Sequence, residues 1–173
     1  MIIWFTGLSG SGKTTLAKNM HEKIKPLYKN TIYLDGDLIR KFFSMEKEKD
    51  YTLEGRRKNA QRIHDLSLIL DNQEINVICS IQLVFNDIRL LNRRVFSTYK
   101  EIHITCSQET LKRRDTKKLY KLYEIKKTKN IVGIDIPYPK PCNYDYEINS
   151  DESIDTSLSK INKIFNELAP KLY

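Results

Sequence analysis

The sequence predicts an α/β fold in which a five-stranded parallel sheet carries helices on both faces. First, short apolar runs alternate with stretches of helical periodicity, an order typical of parallel strands joined by crossover helices. Second, a glycine-rich segment directly follows the first apolar run and opens a helical stretch. At 173 residues, 40% of them hydrophobic, the chain has the length of one domain with its own core, 1–173.

The first half of the chain predicts three strands and three helices. The apolar run 2–5 is a buried first strand, and the next helix ends near Pro26, because proline cannot continue a helix. The apolar stripe of that helix is Leu16, Met20, Ile24 and Leu27. The other predictions are a strand over 31–35, a short helix over 38–43, a mobile connection over 45–50, a long helix over 53–72 and a strand over 75–81.

The second half predicts two strands and three helices. The first helix covers 87–99, with Ile88, Leu91, Val95 and Tyr99 facing inward. Ser107 is the predicted N-cap of a short helix over 108–114, since a serine hydroxyl accepts from first-turn N–H groups. The remaining elements are strands over 101–106 and 144–148 and a last helix that begins after a Ser150-Asp151 start signal.

The glycine-rich segment is Gly7-Leu-Ser-Gly-Ser-Gly-Lys-Thr14, which matches the phosphate-binding loop pattern. Glycines let the backbone fold round an anion, Lys13 brings a charge to the β- and γ-phosphates, and the Thr14 hydroxyl can ligate Mg²⁺. A plain turn is the alternative, but the order strand, loop, helix favours the phosphate site. The predicted ATP-binding residues here are Gly7, Ser9, Gly10, Ser11, Gly12, Lys13, Thr14 and Thr15.

A basic block lies between Lys112 and Lys129, in a chain whose net charge is +8. A solvated helix face and a nucleic-acid patch are two interpretations. Within the block only Tyr120 and Tyr123 interleave, too few for a base-stacking platform. We therefore favour a lid over about 112–141 that covers the transferring phosphoryl group, and no nucleic-acid partner.

Cysteine and histidine placement argues against a zinc site or a disulfide framework. Cys79, Cys106 and Cys142 are widely spaced, as are the three histidines. The longest apolar runs fall short of a membrane span, and no basic-then-apolar leader precedes the first strand. The expectation is a cytoplasmic protein without a membrane partner.

The motifs resemble the adenylylsulfate (APS) kinases, enzymes of the P-loop kinase fold that phosphorylate the ribose 3′-hydroxyl of adenosine 5′-phosphosulfate. The likeness runs from Trp4 to about Tyr146. It is carried by the loop 7–15, Asp35-Gly-Asp-Leu-Ile-Arg40, Glu54-Gly-Arg56 with Asn59 and Arg62-Ile63, the block from Arg114 to Lys121, and Gly133-Ile-Asp-Ile-Pro-Tyr138. The glycine-rich loop is generic, whereas the last two motifs are far more specific.

The resemblance implies roles residue by residue. Lys13, Asp35 and Asp37 are the catalytic set; one aspartate is the base and the other helps organise Mg²⁺, a division that the sequence leaves open. Thr14 and Asp35 are taken as the metal-binding residues, and Arg114 as a residue near the ATP donor. The implied acceptor-binding residues are Asp37, Arg40, Tyr51, Arg56, Asn59, Ile81, Leu119, Lys121 and Ile131. Lys121 is expected to be far more important than Lys126 or Lys129.

Two departures bear on the acceptor. Where the family has a Ser-Pro-Tyr-Arg stretch that grips the sulfate, this chain has Leu83-Val-Phe-Asn86. Where the family clamps adenine between two phenylalanines, the chain has Tyr51 and Ile131. These changes favour the cytidine diphosphoramidate kinase branch of the family, which acts in capsular phosphoramidate biosynthesis.

Three functions stay open at this point. The preferred one is a nucleotide 3′-kinase with a small-molecule nucleotide acceptor, for which a homodimer is compatible. APS kinase itself is the alternative. A P-loop regulatory protein or nucleic-acid-dependent ATPase fits the charge but leaves Asp35, Asp37 and Arg40 without a task.

Overall fold

The computed structural model of the chain describes residues 1–43, 51–115 and 118–173, so the connection predicted over 45–50 lies outside the described residues. The strands are β1 (Ile2–Gly7), β2 (Thr31–Asp35), β3 (Asn76–Ile81), β4 (Tyr99–Thr105) and β5 (Tyr146–Asn149). They form one sheet in the order β2-β3-β1-β4-β5, and every neighbouring pair is parallel. The predicted α/β class and five-stranded parallel sheet are confirmed.

Helices follow the strands in the predicted alternation. They are α1 (Lys13–Ile24), α2 (Gly36–Phe43), α3 (Leu53–Asp71), α4 (Asn86–Val95), α5 (Gln108–Arg114), α6 (Leu119–Glu124) and α7 (Ile154–Leu168). A 3-10 turn, Ala169–Lys171, ends the last helix. The short helix α6 lies within the basic block, for which the sequence predicted no separate element.

Alternate residues of β1 serve opposite faces of the sheet. Ile2 and Trp4 belong to a buried cluster formed with α3 and α4, whereas Ile3 and Phe5 belong to a second cluster formed with α1 and α7. All four side chains are fully buried, as expected for a central strand with helices on both sides. The phosphate-binding loop therefore leaves the middle of the sheet at its carboxyl edge, where such folds bind ligands.

The helix predicted over 87–99 is shorter than expected. It ends at Val95, and Tyr99 instead begins β4 beside Ile2. Val95 is exposed and Phe96 is buried in its place. The backbone pairing of Tyr99 with the central strand decides its position, although Tyr99 continues the helical spacing of the apolar residues before it.

Leu27 is a second correction. It was expected on the inner face of the first helix, but α1 ends at Ile24 and Leu27 is exposed. Pro26 lies just beyond the helix, so the chain leaves the helical path before Leu27 could reach the core.

The third correction concerns the start of the last helix. Ser153 caps α7, accepting from the N–H of Thr156 at 3.1 Å, and the predicted start signal at Ser150 and Asp151 does not. The Asp151 carboxylate accepts instead from the N–H and hydroxyl of Ser107. Ser107 itself caps α5 as predicted, accepting from the N–H of Thr110 at 3.2 Å.

Candidate active site

The loop between β1 and α1 has the backbone of an anion-binding loop. Gly10 and Gly12 adopt left-handed φ angles of 85° and 90°. A Cβ on Gly12 would meet nothing within 4 Å, so the space beside it is open. At the other end of the loop, a Cβ on Gly7 would lie 2.6 Å from the carbonyl oxygen of Ile104 on β4, so the loop base admits only glycine.

Two polar side chains of this loop complete its phosphate-binding character. The Lys13 ammonium donates to the carbonyl of Leu8 at 3.2 Å, which holds the lysine over the loop. The Ser11 hydroxyl is buried and has no hydrogen-bond partner within the described part of the chain. The arrangement suits a phosphate, which accepts hydrogen bonds from loop N–H groups and from the lysine.

Two cavities meet at the loop. One has a volume of about 620 Å³ and the other about 590 Å³. Both are lined by the same five residues: Ser9, Lys13, Thr14, Asp35 and Asp37. Two substrates bound on either side would therefore approach each other over the lysine, the threonine and the two aspartates.

The 590 Å³ cavity contains the rest of the phosphate-binding loop. Gly10, Gly12 and Thr15 line it together with Arg114 of α5. Arg114 donates to the carbonyl of Ser150 at 2.6 Å and to its hydroxyl at 3.2 Å, which fixes the guanidinium at the wall. We call this space the donor cavity, because the loop that defines it is the one that holds nucleotide phosphates.

The 620 Å³ cavity, here the acceptor cavity, lies over the carboxyl ends of β2 and β3. The sequence-predicted residues that line it, beyond the five shared ones, are Arg40, Tyr51, Arg56, Ile81, Leu119 and Ile131. It also contains two residues that the sequence analysis missed, Ser80 and Gln82, and three lysines that it placed in the lid but not among the acceptor-binding residues: Lys126, Lys127 and Lys129. Ser80 and Gln82 could have been found, since they lie at the carboxyl end of β3, the strand beside β2.

Two predicted acceptor-binding residues lie elsewhere. Asn59 of α3 is buried and donates to the carbonyl of Gly36 at 3.0 Å, so it supports the start of α2 from outside the cavity. Lys121 lies in an outer basic groove with Lys112, Arg113 and Lys118. Neither side chain lines the acceptor cavity.

The Asp35 carboxylate is held from both sides. Its Oδ1 accepts from the N–H groups of Asp37 and Leu38, at 3.0 and 3.1 Å, which fixes the start of α2. Its Oδ2 lies 3.0 Å from both the Tyr33 and the Ser80 hydroxyls. Burial raises the pKa of Tyr33 above its usual value, so this phenol stays a proton donor.

Asp37 has a different environment. Its side chain is 51% exposed and its Oδ1 accepts from Arg40 at 3.1 Å. The Arg40 side chain is only 10% exposed, lies 4.8 Å from the Tyr51 ring centre, and has a buried Nε without a partner among the described residues. The arginine therefore places a positive charge between an acidic group and an aromatic ring.

Arg56 connects three parts of the acceptor cavity. It donates to the carbonyl of Tyr51 at 3.0 Å, to Oε1 of Gln82 at 2.9 Å and to the carbonyl of Asn130 at 2.8 Å. Burial, and secondarily the charge of Arg40, lower the pKa of Arg56 to about 10, so it remains a cation at neutral pH. Asp135 closes the same segment by accepting from the Asn130 N–H at 2.6 Å and from that of Ile131.

The stretch 83–86 consists of three buried apolar residues and a partly buried asparagine. Leu83, Val84 and Phe85 belong to the core, and Oδ1 of Asn86 accepts from Arg89 at 2.9 Å. Arg89 also pairs with Glu101 at 2.9 Å, both side chains being fully buried. This stretch therefore presents no cation to the acceptor cavity.

The shared residues fit a magnesium ion. Thr14 supplies a hydroxyl oxygen and Asp35 a carboxylate, the hard oxygen ligands that Mg²⁺ prefers alongside substrate phosphates. Within 1–43, 51–115 and 118–173, no group of three or more His, Cys, Asp and Glu residues could hold a metal by itself. A metal at this place would depend on the phosphates of the nucleotide.

The family model for adenylylsulphate kinase matches residues 1–149. The chain belongs to the adenylylsulphate kinase family. It is accordingly a kinase of P-loop fold that uses ATP and transfers phosphate to a hydroxyl group, and its other substrate is expected to be a small-molecule nucleotide.

Relatives within this family carry two different names. The chain is 37% identical over 165 residues to the cytidine diphosphoramidate kinase of Campylobacter jejuni, which covers 92% of this chain and 95% of that protein. It is 34% identical over 167 residues to the adenylyl-sulfate kinase of Picosynechococcus, with 96% and 93% covered.

The fold is shared with a solved member of the family. The Mycobacterium tuberculosis APS kinase, in complex with AMPPNP and APS, matches with a TM-score of 0.82 at 27% identity, covering 95% of this chain and 96% of that one. In the present chain, within residues 1–43, 51–115 and 118–173, no helix is long and apolar enough to cross a membrane.

Proposed function

We propose that this kinase phosphorylates the ribose 3′-hydroxyl of a nucleotide with a modified 5′ end, and that its acceptor is cytidine diphosphoramidate. The observation that carries the proposal is the stretch 83–86, in which Leu83, Val84 and Phe85 are buried and apolar and no residue is a cation. An acceptor ending in sulfate calls for a fixed cation, and Asn86 is instead bound to Arg89 in the core. Losing a charge-assisted contact costs about 1.5–3 kcal/mol, a more than tenfold loss of affinity.

The walls of the acceptor cavity support a pyrimidine. Tyr51 supplies one aromatic ring and Ile131 an aliphatic side chain, so a base stacks on one aromatic neighbour only. The identity to the Campylobacter jejuni cytidine diphosphoramidate kinase supports the same acceptor. On this proposal the reaction belongs to capsule polysaccharide biosynthesis.

The two cavities suggest how the reaction proceeds. The loop N–H groups and Lys13 hold the donor phosphates and stabilise the charge that develops on the transferred group. Thr14 and Asp35 would hold Mg²⁺, which would supply further neutralisation of the phosphate charge. Asp37 accepts the proton of the 3′-hydroxyl, because its half-exposed carboxylate lines both cavities, whereas Asp35 holds the start of α2 and would bind the metal.

APS is the second candidate acceptor, and one observation favours it. Lys126, Lys127 and Lys129 line the acceptor cavity, and one of them could supply the cation that the 83–86 stretch lacks. The identity to adenylyl-sulfate kinases, 34% for the Picosynechococcus protein, supports the same candidate.

A side-by-side measurement of kcat/KM with ATP and each acceptor tests the proposal. We expect cytidine diphosphoramidate to exceed APS by more than tenfold, with phosphorus NMR placing the new phosphate on the 3′ oxygen. DNA and RNA should leave turnover unchanged. A higher kcat/KM with APS would make the chain an APS kinase, and turnover that depends on nucleic acid would overturn both candidates.

A further inference from the structure

Gln82 is a polar side chain of the acceptor cavity whose orientation is fixed. It directly follows β3, and its Oε1 accepts from Nη1 of Arg56 at 2.9 Å. A guanidinium group only donates hydrogen bonds, so the amide must direct its oxygen to Arg56 and leave its nitrogen for another partner. That Nε2 is buried and has no hydrogen-bond partner in the described segments.

Arg56 also sets the surroundings of this amide. The same guanidinium donates to the carbonyls of Tyr51 and Asn130, so it links Gln82 to the Tyr51 wall and to the segment that carries Ile131, all of which line the acceptor cavity. The Tyr51 ring is 46% exposed. An aromatic ring, an aliphatic side chain and a hydrogen-bond donor in one cavity suit a planar base, which stacks through its face and is read at its edge.

We propose that Gln82 is a specificity-determining residue whose Nε2 donates to the edge of the acceptor's base and selects cytosine over uracil. Position 3 distinguishes the two bases, because O2 accepts hydrogen bonds in both: N3 of cytosine accepts from Nε2, whereas uracil presents an N–H there. A buried donor that faces another donor leaves both unpaired, so uracil is rejected as well as cytosine bound. The inference rests on the proposed function, since it names what reads the base of that acceptor.

Reversing the polarity of the side chain tests the role. Gln82→Glu keeps an acceptor for Arg56 but replaces the Nε2 donor by a carboxylate oxygen. Titration calorimetry measures the affinities for cytidine 5′-diphosphate and uridine 5′-diphosphate. The affinity for ATP, measured in the same way, is the check on the donor cavity. The cytidine-to-uridine affinity ratio should fall by about tenfold in Gln82→Glu and about fivefold in Gln82→Met, with ATP affinity unchanged.

Gln73→Glu is the matched control, because Gln73 is exposed near the opposite, amino-terminal end of β3. It introduces the same charge and should leave the ratio as in the original protein. The inference is overturned if the original protein binds the two diphosphates equally, or if both Gln82 variants keep its ratio. Failure of the proposed function would give a different result. The kcat/KM would then be higher with APS than with cytidine diphosphoramidate, whatever effect the Gln82 variants have on the affinities for the two diphosphates.

Discussion

Asp35 and Asp37 show how surroundings divide the work of two like residues. They stand two positions apart at the end of β2, and both line the two cavities. Four donors surround the Asp35 carboxylate, whereas Asp37 is half exposed and pairs with Arg40. On the proposed mechanism, Asp35 therefore stabilises the turn into α2 and Asp37 accepts the proton.

Asn substitutions at the two positions should separate these roles. We expect Asp37→Asn to lower kcat by about a hundredfold or more, since the amide cannot accept the 3′-hydroxyl proton, with little change in thermal stability. Asp35→Asn should lower kcat strongly as well and also lower the melting temperature, because its amide nitrogen would face the Tyr33 and Ser80 hydroxyls. Steady-state kinetics and thermal unfolding measure both.

Lys13→Ala is the reference for a site that has lost transition-state stabilisation, and it should abolish phosphoryl transfer with little effect on the fold.

An Asp37→Asn variant with more than a tenth of the original kcat would contradict the assignment of Asp37 as the base. An equal loss of thermal stability in Asp35→Asn and Asp37→Asn would contradict the separate roles of the two aspartates.

At the scale of elements, the basic block divides into two surfaces. Lys126, Lys127 and Lys129 follow α6 and line the acceptor cavity, in a segment that Arg56 and Asp135 hold through Asn130. Lys121, within α6, lies in the outer groove. The family resemblance ranked Lys121 first, whereas the cavity lining leads us to expect larger effects at Lys126 and Lys129.

Alanine substitutions test the two surfaces. Lys126→Ala and Lys129→Ala should each raise the KM for the acceptor by about three- to tenfold, because each removes a cation from the cavity. Lys121→Ala should change KM by less than about twofold, and serves as the matched control. Acceptor KM is measured at saturating ATP; a dominant effect of Lys121 would restore the original expectation, and equal small effects would indicate a solvated helix face.

At the scale of the whole molecule, His103 links the sheet to the segment that returns after the basic block. It lies buried on β4, with Tyr138 at 6.1 Å and Tyr144 at 5.5 Å between ring centres. Burial lowers the pKa of His103 to about 4, outweighing the opposite effect of Glu147, so the ring is neutral in the folded protein at neutral pH.

The depressed pKa predicts how stability depends on pH. In the unfolded chain the histidine has a pKa near 6.5 and is protonated below that pH. In the folded protein His103 is protonated only below about pH 4. Stability from this group is therefore complete above about pH 6.5 and is lost as the pH falls to about 4, by up to about 3 kcal/mol.

Urea unfolding of the original protein and of His103→Phe, which keeps an aromatic ring, measures the effect. The free energy of unfolding should fall less with decreasing pH in the variant, since its ring cannot be protonated. Other groups titrate alike in both proteins and cancel in the difference. Parallel pH profiles for the two proteins would show that His103 is not responsible.

The sequence by itself determined the fold class, the phosphate-binding loop and the position of the aspartate pair. Each depends on local information: apolar runs of strand length, glycines that permit left-handed backbone, and polar residues next to the end of a strand. The strand over 31–35 and the Ser107 cap came out as predicted for the same reason.

Only the tertiary structure decided which residues share the acceptor cavity. Arg56 reaches Gln82, 26 positions away, and Asn130, 74 positions away, and Tyr99 leaves a helical pattern to pair with β1. The spacing of residues along one helix or strand carries no record of such contacts, because they form between elements that the sheet brings together. Gln82, Lys126 and Lys129 therefore line one cavity because β3 lies beside β2 and the segment after α6 lies against these strands.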